Sequence, residues 1–358
     1  MKIIDHIYPK IISIDNLLIA WQEFALGKKK KADVQIFSKN ILANILSLRG
    51  DLINLTYKHS SYQQFNINDP KARVVHKAIV RDRLLHHAVY RILYPLFDQS
   101  FIYDSYSCRL DKGTHRAVKR LESFTRKVSK NYTRPCFALK CDVKKFFDSV
   151  DHKILMCILE KKITDSDTLR LLGEIICSFD RSNKSQLSLF DNWTFDRFRL
   201  TGKGIPIGNL TSQLFANVYL NELDKFVKHK LKVKYYLRYC DDFIILSSNE
   251  NYLNYFIILI ESFLMEKLKL KLHENKVFIR KLKQGIDFLG YVVLPYHIVL
   301  RTKTRKRIFK RINNINVYSY LGLIKHCDGY LLVKKIFEKF KFNNFRYILP
   351  CLSRKKRI

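Results

Sequence analysis

Apolar residues recur at spacings of three and four from Ile3 to about Leu55, which predicts helix, interrupted at Gly27 and the run Lys28, Lys29, Lys30 and Lys31. That run reads either as a solvated loop or as a loop that touches phosphates. After a basic segment that begins near Asp69, a long apolar helix is expected over residues 84–97. A glycine-containing turn, Asp111 to Thr114, precedes a further helix. Residues 136–143 change the period. A short, nearly continuous apolar run behind Pro135 predicts a buried strand, and it ends on the carboxylate of Asp142.

A helix is expected next over residues 151–162, with Asp151 as its N-cap. Residues 181–204 are polar and aromatic without a period, which predicts an exposed loop or a small hairpin. An amphipathic helix follows over residues 211–230. The β-rich runs 235–239 and 243–246 then flank Cys240, Asp241 and Asp242, the pattern of a hairpin with acids at its tip. Another amphipathic helix is expected over residues 251–268, strands over 270–279 and 286–294, and a very basic helical remainder from Arg301. No internal repeat and no clear linker stand out, and helices alternating with antiparallel strands predict an α+β body.

Composition narrows the partners. A chain of 358 residues with 47% hydrophobic content can bury one large core or two to three coupled subdomains. Its 66 Lys and Arg against 32 Asp and Glu leave a formal charge of +34, which repels itself unless an anion lies on the surface. Nucleic acid is the leading partner class. No apolar run approaches the ~20 residues of a membrane span, and no apolar leader follows the first lysine, so a soluble cytoplasmic protein with no membrane partner is expected. The eight cysteines are scattered without Cys-x-x-Cys pairs, which fits reduced thiols better than a zinc site.

The acids carry the chemistry. Joining a nucleotide to a growing strand uses two divalent ions about 4 Å apart, bridged by carboxylates. Asp142 at a strand end and the pair Asp241 and Asp242 at a hairpin tip could supply them if their strands pair. An Asp-Asp in a turn is commonly just a turn. Here it joins two apolar runs, where its self-repulsion is costly and a cation would relieve it. Neighbours on a strand face opposite ways, so Asp241 is expected to bridge and Asp242 to support.

These residues resemble one family. Tyr239-Cys240-Asp241-Asp242-Phe243 is similar to the Tyr-x-Asp-Asp box of reverse transcriptases, and Cys141-Asp142-Val143-Lys144-Lys145-Phe146-Phe147-Asp148 resembles their first catalytic strand. In the family's order, Gly204-Ile205-Pro206-Ile207-Gly208-Asn209-Leu210-Thr211-Ser212-Gln213 resembles the template- and nucleotide-contacting loop. Leu272-His273-Glu274-Asn275-Lys276 is similar to the segment that carries a lysine, and Phe288-Leu289-Gly290-Tyr291 to the primer-grip hairpin. The resemblance covers about residues 70–295.

It implies a right-hand polymerase: an N-terminal helical extension (1–68), fingers (69–138), a palm (139–296, with part of the fingers at 160–205) and a basic helical thumb (297–358) at which the chain ends. It implies two Mg2+ ions, with Mn2+ as the alternative, at Asp142, Val143, Asp241 and Asp242. Phe147 would exclude a 2′-hydroxyl, Arg109 and Lys112 would clamp the triphosphate, and Lys276 would stand near the pyrophosphate. Ile207, Gly208 and Gln213 would border the incoming dNTP. Arg73, Arg81 and Arg83 would contact template phosphates. Phe288, Leu289 and Gly290, with Arg301, Arg305 and Lys306, would hold the RNA/DNA primer-template duplex by shape and backbone.

One departure is informative. Common reverse transcriptases carry Gln where this chain has Ile207 and Pro where it has Gln213. The pattern resembles the reverse transcriptases of diversity-generating retroelements, bacterial or phage-encoded, whose family activity is error-prone copying of a template RNA, mainly at adenines. Isoleucine cannot make glutamine's hydrogen bonds. That family works with a small basic accessory protein, an expected partner here. The alternatives are the enzyme of a group II intron, retron or phage-defence system, and a non-catalytic RNA-binding scaffold.

Overall fold

The computed structural model describes residues 3–68, 72–179 and 202–340. The loop or hairpin expected at 181–204 lies outside these residues as far as 201, and so do Cys351 and the end of the basic tail. Helices α1 (Tyr8–Ile11), α2 (Ile14–Ala25), α3 (Ala32–Lys39) and α4 (Ile41–Ile53) come first. Strands β1 (Gln63–Ile67) and β2 (Arg73–Lys77) precede α5 (Val80–Asp98) and α6 (Thr114–Val128). After β3 (Phe137–Asp142) come α7 (Phe146–Ser149), α8 (His152–Glu160), α9 (Ser166–Cys177) and α10 (Leu210–Lys225). The hairpin β4 (Tyr236–Tyr239) and β5 (Asp242–Ser247) leads to α11 (Glu250–Leu268). Strands β6 (Phe278–Lys281), β7 (Ile286–Phe288), β8 (Tyr291–Leu294) and β9 (His297–Leu300) are followed by α12 (Thr302–Arg311), α13 (Val317–Ile324) and α14 (Tyr330–Phe340).

The chain divides into two compact units. The first comprises Met1–Tyr103, Val143–Lys232 and Leu259–His273, and the second Asp104–Asp142, Val233–Ile258 and Glu274–Ile358. Neither is continuous in sequence. The first unit is chiefly helical, with α5 packed against α2 and α10. Its helix starts are chemically marked: Asp151 accepts the N–H of Ile154 (3.1 Å), as its N-cap position predicts. Asp165 accepts from Thr168 (3.2 Å) ahead of α9 and also from Ile7 (2.8 Å) and Tyr8 (2.7 Å). The lysine run lies in the turns after α2, where Lys28 donates to the carbonyl of Phe24 (2.8 Å) and Lys29, Lys30 and Lys31 are exposed.

The second unit is built on a four-stranded antiparallel sheet in the order β4-β5-β3-β6, and a three-stranded sheet β7-β8-β9. Its apolar core joins Ala117, Val118 and Leu121 of α6 to Ala138, Ile244, Phe288 and Tyr291. A separate cluster around Ile308, Ile324, Val333 and Ile336 holds α12, α13 and α14 together.

Three expectations need correction. The strand expected over 270–279 is a strand only from Phe278, because Glu274–Lys276 forms a 3-10 turn and Leu272 makes a single bridge to Val143. The strand expected over 286–294 is two strands: Leu289 (φ 51°) and Gly290 (φ 87°) are both left-handed, the backbone of a two-residue hairpin turn. The helix expected to reach Lys230 leaves α-geometry at Phe226 for a π-turn. The hairpin β1–β2 and the strand β9 have no counterpart in the expected pattern. Among the described residues, no helix is long and apolar enough to cross a membrane, and all seven cysteines are free thiols.

Candidate active site

Strand β3 lies between β5 and β6, and its register with β5 runs from Phe137 opposite Ser247 to Asp142 opposite Asp242. The strand expected to end in a carboxylate therefore ends beside the acidic hairpin tip. Cys240 makes the turn possible with φ 56°. Arg238, wholly buried on β4, donates from Nη1 to the carbonyl of Cys240 (3.0 Å) and so fixes that turn from beneath. Residues 104–113 run alongside: Ser105 forms a parallel bridge to Arg238, and Tyr106 N–H donates to the Arg238 carbonyl at 2.9 Å. Arg109 follows, with Nη1 on the carbonyl of Ser105 (3.1 Å), and Lys112 lies 5.2 Å over the ring of Tyr106.

Lysines answer two of the acids. Lys276 donates to Oδ1 of Asp142 at 2.8 Å, and Lys140 stands 3.3 Å from Oδ2 of Asp242. Burial raises the Asp241 carboxyl above its usual range, repulsion from Asp142 adds to this, and a hydrogen bond from the Cys240 thiol opposes it. Burial pushes Asp242 up to about 6, against the pull of Lys140. Burial also raises the Cys240 thiol.

These acids fit a hard divalent cation. Oδ1 of Asp242 is buried with no hydrogen-bond partner among the described residues, and burial raises both the Asp241 and Asp242 carboxyls, a shift that added positive charge would oppose. Among the described residues, no three His, Cys, Asp or Glu side chains are gathered closely enough to hold a metal ion by themselves. Magnesium keeps several of its waters and needs only one or two protein carboxylates.

The first unit carries several of the other expected residues. Val143 is buried and bridged to Leu272. Phe147 is half-buried beside Phe146, and its carbonyl accepts the N–H of Ile205 (2.8 Å), which ties it to the loop containing Ile207 and Gly208. The carbonyl of Ile207 accepts from His76 on β2 (3.2 Å). Gly208 (φ 120°) is needed there, since a Cβ would lie 3.0 Å from Val75 Cγ1. Gln213 is exposed on α10, and Thr211 is pinned to the buried His86 ring (2.8 Å).

Some placements differ from a surface role. Arg73 is exposed, but Arg81 is ion-paired with Asp51 and Arg83 with Asp33 (2.5 Å), so both are turned toward acids of their own unit. Phe288 is fully buried in the core, leaving the turn at Leu289 and Gly290 as the presented part of its hairpin. Arg301 is paired with Asp287, while Arg305 and Lys306 are exposed on α12. The expectation passed over Lys140 and Arg238. Strand alternation could have found Lys140, which shares the face of Asp142.

A family model described as reverse transcriptase (RNA-dependent DNA polymerase) matches residues 62–293. The putative COX1/OXI3 intron 2 protein of Saccharomyces cerevisiae is 23% identical, over 90% of this chain and 42% of its own length. The group II intron-encoded protein LtrA of Lactococcus lactis is 25% identical, over 75% of this chain and 52% of its own. The chain thus spans about half the length of these curated relatives. Among solved structures, telomerase from Candida albicans aligns with a TM-score of 0.47 and 14% identity, over 75% of this chain and 49% of that one.

Proposed function

The chain belongs to the family of reverse transcriptases, RNA-dependent DNA polymerases, and on that premise we propose that it extends a primer with deoxynucleotides on an RNA template. Its fold class is the family's right-hand polymerase, α+β with antiparallel sheets. One observation carries the reading: the β3–β5 register sets Asp142 opposite Asp242, with Asp241 at the adjoining turn.

Asp142 and Asp241 are assigned as the bridging acids and Asp242 as their support, with Val143 beside them. The family generally uses divalent metal ions; two Mg2+ or Mn2+ ions held here would activate the primer 3′-hydroxyl and stabilise the leaving pyrophosphate. Lys276, already on Asp142, can supply a proton or a charge to that pyrophosphate. Arg109 and Lys112 are assigned to the triphosphate. Phe147, tied to the Ile205 loop, is assigned to the sugar, where a ring excludes a 2′-hydroxyl. The Leu289–Gly290 turn and the exposed cations of α12 are assigned to the duplex.

Purified protein should extend a DNA primer on an RNA template in a Mg2+-dependent manner, and Asp241→Ala should abolish extension while keeping RNA affinity within about threefold. Extension that persists in Asp241→Ala would remove the metal assignment.

A finer reading concerns purpose. Ile207 and Gln213, in place of the family's usual Gln and Pro, favour careless copying opposite adenine, the activity of diversity-generating retroelements. A second reading, the reverse transcriptase of a group II intron, is favoured by the likeness to intron-encoded proteins. The flanking DNA separates them: two near-identical repeats differing at adenines support the first, and intron boundaries the second.

A further inference from the structure

Lys140 precedes Asp142 by two positions on β3, so both side chains leave the same face of the strand. That face is the one lined by Ala138, Ile244 and Phe288 of the second unit's apolar core. A lysine is rarely buried there without a purpose for its charge. Its side chain is 11% exposed, and its ammonium is used twice: 3.3 Å from Oδ2 of Asp242, and donating to the carbonyl of Asp287 at 3.0 Å. Asp287 lies on β7. Its carboxylate is paired with Arg301, the residue immediately before α12, and the Arg301 N–H donates to the carbonyl of Gly290 in the β7–β8 turn (3.0 Å).

An unbroken line of polar contacts therefore runs from an acid of the candidate active site to the β7–β8 turn and to the first basic helix. The geometry points to Lys140 as a positioning residue that couples seating of the primer end at the β7–β8 hairpin to the orientation of Asp242. An ammonium offers three protons in fixed directions. With one on the Asp287 carbonyl and one toward Oδ2, the carboxylate is rotated so that Oδ1 is the oxygen left for a cation. Displacing β7 displaces the ammonium, and the carboxylate with it. A methionine of similar length fills the same space without holding either partner. If the lysine were only filling space, that exchange would be neutral or stabilising.

This inference rests on the polymerase reading, and its test keeps the two apart. Binding of Mn2+ is followed by electron paramagnetic resonance, with and without an RNA template annealed to a DNA primer ending in a dideoxynucleotide, so that no chemistry intervenes. In the wild type the duplex should tighten Mn2+ binding at least fivefold, and linkage requires Mn2+ to tighten duplex binding equally. In Lys140→Met that factor should fall to about one, with each affinity measured alone within about threefold of wild type. Lys140→Arg should restore part of it, and Arg301→Gln, which breaks the far end of the line, should lower it. A coupling factor unchanged in Lys140→Met overturns the inference. Should that variant fail to fold, an unchanged factor in Arg301→Gln overturns it instead. Failure of the wild type to extend an ordinary primer on RNA would count against the polymerase reading, whatever the coupling.

Discussion

Asp165 does two jobs with one carboxylate: it caps α9 and gathers the N–H groups of Ile7 and Tyr8 from the start of the chain. Burial alone would raise its pKa, but the hydrogen bonds from Tyr8, Thr168 and Ile7 outweigh it and hold the carboxyl below the usual range. A group lowered in this way adds stability above its unfolded pKa and loses it as pH falls through the folded one. Asp165→Ala should therefore cost about 1–3 kcal/mol at pH 7, read from urea unfolding, and the gap to wild type should narrow as the pH falls below the usual carboxylate range. Ile207 permits a second test. Ile207→Gln restores a hydrogen-bonding side chain in the loop, and sequencing of the cDNA should show several-fold less misincorporation opposite adenine. Unchanged fidelity would mean that the loop does not set it. The acids themselves were legible from sequence, because a carboxylate that ends an apolar run is conspicuous. Lys140 and Arg238 were not: in a chain with 66 Lys and Arg, a cation reads as surface until the strand register buries it.

Elements were legible where one period ran for several turns. The helix over residues 151–162 and its cap, the acidic hairpin and the helix over 251–268 all took shape close to their expected bounds. Short strands separated by left-handed turns were not, since Phe288-Leu289-Gly290-Tyr291 is apolar throughout and its reversal lies in two φ angles. Nor was β1–β2, whose first strand has no buried face and hence no alternation to betray it. Gly285 marks the start of this region. It has φ 81°, and a Cβ would fall 2.6 Å from Val292 Cγ1 on β8. Gly285→Ala should lose about 1–3 kcal/mol, measured by chemical denaturation, and should loosen β7 against β8 first, seen as faster amide exchange at Ile286 and Val293. Equal exchange in the two proteins would show that the turn relaxes without cost.

At the scale of the whole chain, the charge of +34 far exceeds what its own acids can balance. Nucleic-acid affinity should accordingly be dominated by counterion release. With six or more phosphates neutralised, binding of an RNA/DNA duplex should weaken by about a thousandfold between 50 and 200 mM salt. A filter-binding series giving a nearly flat dependence would remove the basic surface from the binding account. This much follows from composition. The division into units does not, because sequence reading cuts a chain into successive stretches, whereas the contacts group distant stretches together.

That grouping has a consequence for ancestry. The chain passes from one unit to the other at Asp142 and Val143, in the middle of the segment that bears an acid of the candidate active site, and it crosses again before and after. No single break in the gene separates the two, so neither could have been gained, lost or exchanged by itself through a simple fusion. A single crossover anywhere along the chain would cut through at least one of the two groupings.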